Sequence, residues 1–161
     1  NKVHITGITT GKIVDFGVKD SMNMGACMAP AAGNVIVQNL IDNGRKPEWY
    51  DKIITGDLGL VGKDILLDIT RSKGYDIADR YMDCGIEIYS REQEIQAGGS
   101  GCGCSASMLA GYIVKMLEKG TWQRVLFVPT GALLSPVSFN EGDSVPGIAH
   151  AVVFECSGES Q

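Results

Sequence analysis

The residues with the types and spacing to do chemistry gather in Gly98-Gly99-Ser100-Gly101-Cys102-Gly103-Cys104-Ser105-Ala106-Ser107, which holds four glycines and two cysteines. Glycines let backbone approach a neighbour closely, and a helix starting behind them points unused N–H groups forward. A thiol at such a helix start has its thiolate favoured by the dipole and those N–H groups, so Cys102 and Cys104 read as candidate nucleophiles or ligand contacts. The alternative is that small thiols simply pack where larger side chains do not fit. Residues 101–106 match G-x-G-x-x-A, but a dinucleotide fingerprint follows a buried strand, and Glu92-Gln93-Glu94-Ile95-Gln96 is not one. The next apolar run ends in Pro129-Thr130-Gly131, with no acid for a ribose hydroxyl. Cys102-x-Cys104 also lacks the C-x-x-C spacing of structural zinc sites and has no second pair beside it.

Asp57 is the second candidate. It follows a short apolar run, at the carboxyl end where open α/β sheets place their ligands. It equally suits a turn, Gly56-Asp57-Leu58-Gly59, in which it caps the following helix. Ser135, Ser138 and Ser144 offer hydroxyls in a long loop, residues 130–146, of the kind that also serves as a lid or an oligomer contact. His4 and His150 are the only histidines, which restricts acid–base chemistry. His150 sits in an apolar strand pattern and reads as a packed or hydrogen-bonded side chain.

These groups need elements to hold them. Residues 2–17 are rich in threonine and β-branched side chains and predict extended structure, either a strand broken near Gly7 or a hairpin at Thr10-Gly11. Ser21 or Asn23 caps a helix running to Asn43-Gly44, with Ala29, Ala32, Ile36 and Leu40 inward, and Pro30 marks a kink or its true start. Lys52-Ile53-Ile54-Thr55 is a strand. A helix follows with Val61, Ile65, Leu66 and Ile69 on one face and a stop at Lys73-Gly74. Gly85-Ile86-Glu87-Ile88-Tyr89 alternates like an exposed strand, and Arg91-Glu92-Gln93-Glu94 reads as solvated. The helix behind the glycine stretch, residues 105–119, presents Met108, Leu109, Tyr112, Ile113, Met116 and Leu117 on one face before Gly120. Residues 124–128 form a buried strand and residues 148–154 the last one, joined without a helix and so expected as an antiparallel edge. Alternating strands and helices imply an α/β fold with a mixed, mostly parallel sheet and helices packed on it.

The chain has 161 residues, enough for one domain with its own core. An apolar share of 44% with 20% charged residues is that of a globular protein, and a net charge of −5 argues against non-specific binding to nucleic acid or to anionic lipid. No run of about 18 apolar residues spans a bilayer, and no signal peptide is expected. Five irregularly spaced cysteines predict reduced thiols rather than a disulfide framework. The chain opens at Asn1 and is expected to be part of a longer protein.

Four separated motifs carry a resemblance. Met24-Gly25-Ala26-Cys27-Met28-Ala29-Pro30-Ala31-Ala32, Thr55-Gly56-Asp57-Leu58-Gly59, residues 97–106, and Thr130-Gly131-Ala132-Leu133-Leu134-Ser135-Pro136 resemble the stage V sporulation protein AD family over nearly the whole chain. The resemblance implies a thiolase-like fold, similar to the ketoacyl synthases and built from two βαβαβαββ halves. Residues 1–161 then form a single domain, the C-terminal half, with a five-stranded sheet. Condensing enzymes of this kind keep their nucleophilic cysteine in the other half. Their C-terminal half supplies a histidine after its second strand and, in synthase III types, an asparagine before its third helix. Here those places fall at Gly56-Asp57 and at about Cys102. An ionised carboxylate cannot donate a hydrogen bond to an oxyanion and a thiol donates weakly, so condensation chemistry is not expected.

What the resemblance implies instead is binding of dipicolinic acid for its uptake into or release from spores, with Asp57, Cys102, Cys104 and Ser135 as ligand-binding candidates. No cofactor is implied beyond calcium carried with the ligand. Implied partners are the N-terminal half, a second copy in a homodimer, and other proteins of the spore dipicolinate channel. The implied location is the spore, peripheral to its inner membrane. The competing expectation is an acyl-transfer enzyme that uses Cys102 or Cys104 with residues from the other half.

Overall fold

The computed structural model describes residues 2–90, 92, 93, 95–99 and 101–157. Its centre is a five-stranded sheet in the order β1 (Lys2–Thr9), β7 (Ala151–Ser157), β4 (Arg124–Val128), β2 (Lys52–Thr55) and β3 (Tyr81–Asp83). Strands β4, β2 and β3 are parallel; β7 runs antiparallel to β4, and β1 antiparallel to β7. The last pair is therefore antiparallel as expected, but β7 lies inside the sheet and β1 forms its edge. The mixed, five-stranded α/β architecture agrees with the sequence reading.

Helices cover both faces, which is why β2 and β4 read as unbroken apolar runs. With a side-chain period of two, Ile53, Leu126 and Val128 enter one layer, while Ile54, Val125 and Phe127 enter the other. The first layer belongs to α1 (Met24–Asp42) and α2 (Gly59–Ser72), through Ala29, Ala32, Ile36, Leu40 and Leu66. The second belongs to α4 (Cys104–Met108), a π-helical stretch (Leu109–Ile113) and α5 (Val114–Glu118), which follow one another directly. Met108, Ile113 and Leu117 reach the sheet from there, whereas Tyr112 is largely exposed. One wide turn at residues 109–113 shifts the face, so the helical spacing assigned to Tyr112 does not hold past it.

Asn23 caps α1 by accepting the Ala26 N–H at 3.2 Å, and Pro30 lies inside the helix rather than at its start. Helix α1 is long and apolar enough to cross a membrane, yet most of it is buried in this fold. It crosses α2 very closely: a Cβ on Gly62 would stand 2.9 Å from the Gly25 Cα. On α2 the buried line is Gly62, Leu66 and Thr70; Val61, expected inward, is exposed, because glycine contact rather than apolar bulk sets the crossing.

Two local expectations are corrected and two hold where the described residues reach them. Residues 85–89 are not a strand: β3 ends at Asp83 and Cys84–Glu87 form a helical turn, α3. The patch Arg91-Glu92-Gln93-Glu94 is exposed at Glu92 and Gln93, while Arg91, Glu94 and Ser100 of the glycine stretch lie outside the described residues. The final strand is broken at His150, which is exposed and whose Nδ1 accepts the Gly11 N–H at 3.1 Å. Before the break, β6 (Gly147–Ala149) pairs with β5 (Thr130–Ala132) in a small separate sheet, and the loop between them contains a short helix, α6 (Pro136–Glu141). The break near Gly7 is present as a register shift between Ile5 and Gly7, and residues 2–9 form one strand rather than a hairpin.

Candidate functional site

A cleft of about 530 Å³ opens beyond the carboxyl ends of β2 and β4. Its walls are the chain entering α1 (Ser21 to Gly25), the turn from Gly56 to Gly59, the glycine loop with Cys102, and Thr130 to Ala132 of β5. The close α1–α2 crossing at Gly25 and Gly62 draws the N-terminal ends of both long helices to this one place. Neither helix, nor α4, carries an acidic residue in its own first turn, so no acidic side chain of α1 offsets the positive end of its dipole. Asp57 is the only charged side chain among the described lining residues.

The turn at Gly56–Gly59 is held from behind. Asp83, buried at the end of β3, accepts the Thr55 hydroxyl (2.6 Å) and the Leu58 N–H (2.8 Å) on Oδ1, and the Gly59 N–H (3.0 Å) on Oδ2. It is Asp83, and not Asp57, that satisfies the start of α2. The next N–H, on Leu60, goes to the Ala97 carbonyl at 2.6 Å. Helix α2 therefore meets the cleft with its first donors engaged and the Asp83 carboxylate already set against the positive end of its dipole. The Tyr81 hydroxyl lies 2.6 Å from Thr55 Oγ1; because Thr55 donates to Asp83, Tyr81 donates to Thr55. Burial raises Asp83 above the usual carboxylate range, and the bonds from Leu58, Thr55 and Gly59 pull it back. Burial, then the Asp83 charge, likewise raises the Tyr81 phenol.

Asp57 faces the opposite way, towards the glycine loop. Its Oδ2 accepts the Gly101 N–H at 2.8 Å. Gly85 lies against the same carboxylate, and its carbonyl accepts the Gly99 N–H at 3.1 Å. The Tyr89 hydroxyl donates to the Gly99 carbonyl at 3.0 Å. Gly98, Gly99 and Gly101 all have φ between +78° and +97°, so the loop follows a path that side chains would oppose.

The four candidates part company. Asp57 and Cys102 line the cleft, and Cys102 is exposed. Cys104 points the other way, into the core with Met82, Cys84 and Met108. Beside it, burial and then the Asp83 charge push the Cys84 thiol up to about 12. Ser135 lies off the cleft and caps α6, accepting the Ser138 N–H at 3.1 Å in a reciprocal box. Ser138 is the other half of that box, and Ser144 donates to Asp15 at 2.6 Å. His4 lies 3.1 Å from Ser157, at the sheet edge. Among the described residues no three His, Cys, Asp or Glu side chains converge to hold a metal ion.

Sequence reasoning passed over Asp83 and Thr130. Thr130 lines the cleft, and its hydroxyl oxygen is buried without a hydrogen-bond partner among the described residues. For Thr130, a signal was available in its place directly after the β4 run, at the strand end where ligands bind. Asp83 had none, since its partners lie 24 to 28 residues away.

The family model for Stage V sporulation protein AD (SpoVAD) matches residues 1–155. Stage V sporulation protein AD of Bacillus subtilis (strain 168) is 46% identical over 156 residues, covering 97% of this chain. The chain spans about half of that relative, 46% of its length. Among solved structures, 3-oxoacyl-[acyl-carrier-protein] synthase III from Aquifex aeolicus VF5 aligns with a TM-score of 0.48 at 13% identity, over 96% of this chain and 45% of that one.

Proposed function

This chain belongs to the stage V sporulation protein AD family, and from that premise we propose that its cleft helps to bind dipicolinic acid, as the calcium salt, for uptake into or release from spores. The observation that carries the reading is the convergence of the α1 and α2 N-terminal ends and the glycine loop on one cleft, where the positive end of α1, with no acidic residue in its first turn, favours a carboxylate. The Thr130 hydroxyl, without a hydrogen-bond partner among the described residues, supplies a further polar contact. No lysine or arginine is among the described lining residues, and Asp57 would repel a bare dianion. Calcium, which prefers oxygen ligands, arrives as cargo with the pyridine dicarboxylate and faces Asp57. The intact protein should bind dipicolinate more tightly with calcium present, by isothermal calorimetry; equal affinity would remove the calcium part of the reading.

The same reading treats the thiolase-like half as a receptor without condensing activity. Its partners are the N-terminal half of the protein, a second copy, and other proteins of the spore dipicolinate channel, at the inner spore membrane. Ile5 and Ile8 on the edge strand β1, with Ile13 and Phe16 after it, are more than half exposed and support such covering. An acyl-transfer reading draws on one observation, the exposed Cys102 thiol at the cleft. Iodoacetamide labelling across pH separates the two. A Cys102 thiol titrating well below the ordinary value of about 8.5 favours transfer, and ordinary slow reactivity favours the receptor.

A further inference from the structure

The Asp57 carboxylate has a place in the structure that its charge does not explain. It sits on the turn after β2 and reaches 44 residues along the chain to take the Gly101 N–H at 2.8 Å. That bond fixes the loop at a point where Gly99 and Gly101, at φ +97° and +91°, supply no side chain to hold it otherwise. Gly85 completes the arrangement from a third segment. A Cβ there would overlap Asp57 Oδ1 and stand 2.9 Å from its Cγ, and the Gly85 carbonyl in turn holds the Gly99 N–H. Gly85 does not have a positive φ, so backbone conformation permits a side chain at this position; the Asp57 carboxylate is the group that overlaps one, with Asp83 Oδ2 next at 3.2 Å.

We propose that Asp57 is a positioning residue: its Oδ2, seated against Gly85, latches the glycine loop at Gly101 and so shapes the cleft wall, independently of any attraction between its charge and a ligand. The consequence for affinity rests on the dipicolinate reading; the latch itself does not. The two jobs separate by substitution. Asp57→Asn keeps an acceptor for Gly101 and removes the charge. Gly85→Ala keeps the charge and dislodges the carboxylate. Asp57→Ala removes both.

Amide exchange in the loop peptide around Gly101, followed by mass spectrometry in the intact protein without ligand, reads the latch directly. Asp57→Ala and Gly85→Ala should each speed exchange there by about tenfold or more, while peptides from β2 and β4 keep their protection. Asp57→Asn should stay within about threefold of the wild type. The double variant Asp57→Ala/Gly85→Ala should exchange no faster than either single one, because both break the same contact. Wild-type exchange in Asp57→Ala, or multiplied effects in the double variant, would overturn the latch. Dipicolinate affinity, measured alongside, keeps the two ideas apart. A wild-type protein that binds no dipicolinate while the exchange pattern holds sinks the functional reading and leaves the latch standing.

Discussion

Removing the Asp83 carboxylate tests how the cleft is built. Asp83 is 1% exposed and receives three donors: the Thr55 hydroxyl and the Leu58 and Gly59 N–H groups. Asp83→Ala leaves all three buried or half-buried without that acceptor. At about 1–3 kcal/mol for each unsatisfied donor, partly relieved by water entering the space, the loss should be about 3–5 kcal/mol. Asp83→Asn keeps one oxygen and removes a charge whose burial is unfavourable, so about 1–2 kcal/mol is expected. The pH dependence follows from the raised folded-state pKa. The native state holds this proton more tightly than the unfolded chain, whose carboxylate titrates near about 3.9. This group's contribution to stability is therefore largest below that value, falls as pH rises through the raised folded pKa, and is level above it. Asp83→Asn abolishes that fall, so the wild-type advantage over Asn should shrink with rising pH across the window. Urea denaturation of the intact protein at a series of pH values measures both quantities. An Asp83→Ala loss below about 1 kcal/mol, or a pH-independent gap between wild type and Asn, would refute the reasoning.

Two further outcomes follow from the same contacts. Iodoacetamide should modify Cys102 first in the native protein and reach Cys84 and Cys104 only on unfolding, since both are buried and Cys84 is pushed up to about 12; peptide mass mapping would show the order, and native labelling of Cys84 would contradict it. Asn39 is buried in α1, donates to Thr9 Oγ1 at 2.8 Å and accepts the Tyr50 hydroxyl, so Asn39→Ala should cost about 2–4 kcal/mol by denaturation, whereas a surface-like change near zero would show that these bonds tie nothing together.

What could be read from sequence is what repeats locally. Helix α1 announced itself through Asn23, its inward Ala29, Ala32, Ile36 and Leu40, and its stop at Asn43-Gly44; β2 and β4 did so through apolar runs buried on both sides. Strand β3 is three residues long and ends in a carboxylate, too short to show a period. Over so few residues Ile86 and Ile88 suit a strand or one helical turn, and the turn is formed where Gly85 meets Asp57 and Gly99. Helix α6 was legible in the loop at residues 130–146: Ser135 as cap, Pro136 at its first position and Gly142 after its last turn are ordinary boundary signals. At the site, Asp57 and Cys102 do share one cleft. The pairing of Asp57 with Gly101 and of Asp83 with the β2–α2 turn depends on sheet order, which no spacing within the sequence encodes.

The central claim, that this cleft is where dipicolinate binds, is tested most directly by filling it. Cys102→Phe sets a ring into the cleft from an exposed position that holds no core contact. In the intact protein, with calcium present, the account predicts that calorimetric affinity for dipicolinate falls by at least about tenfold while the melting temperature is unchanged. Wild-type affinity in a folded Cys102→Phe protein would place the ligand elsewhere and contradict the account.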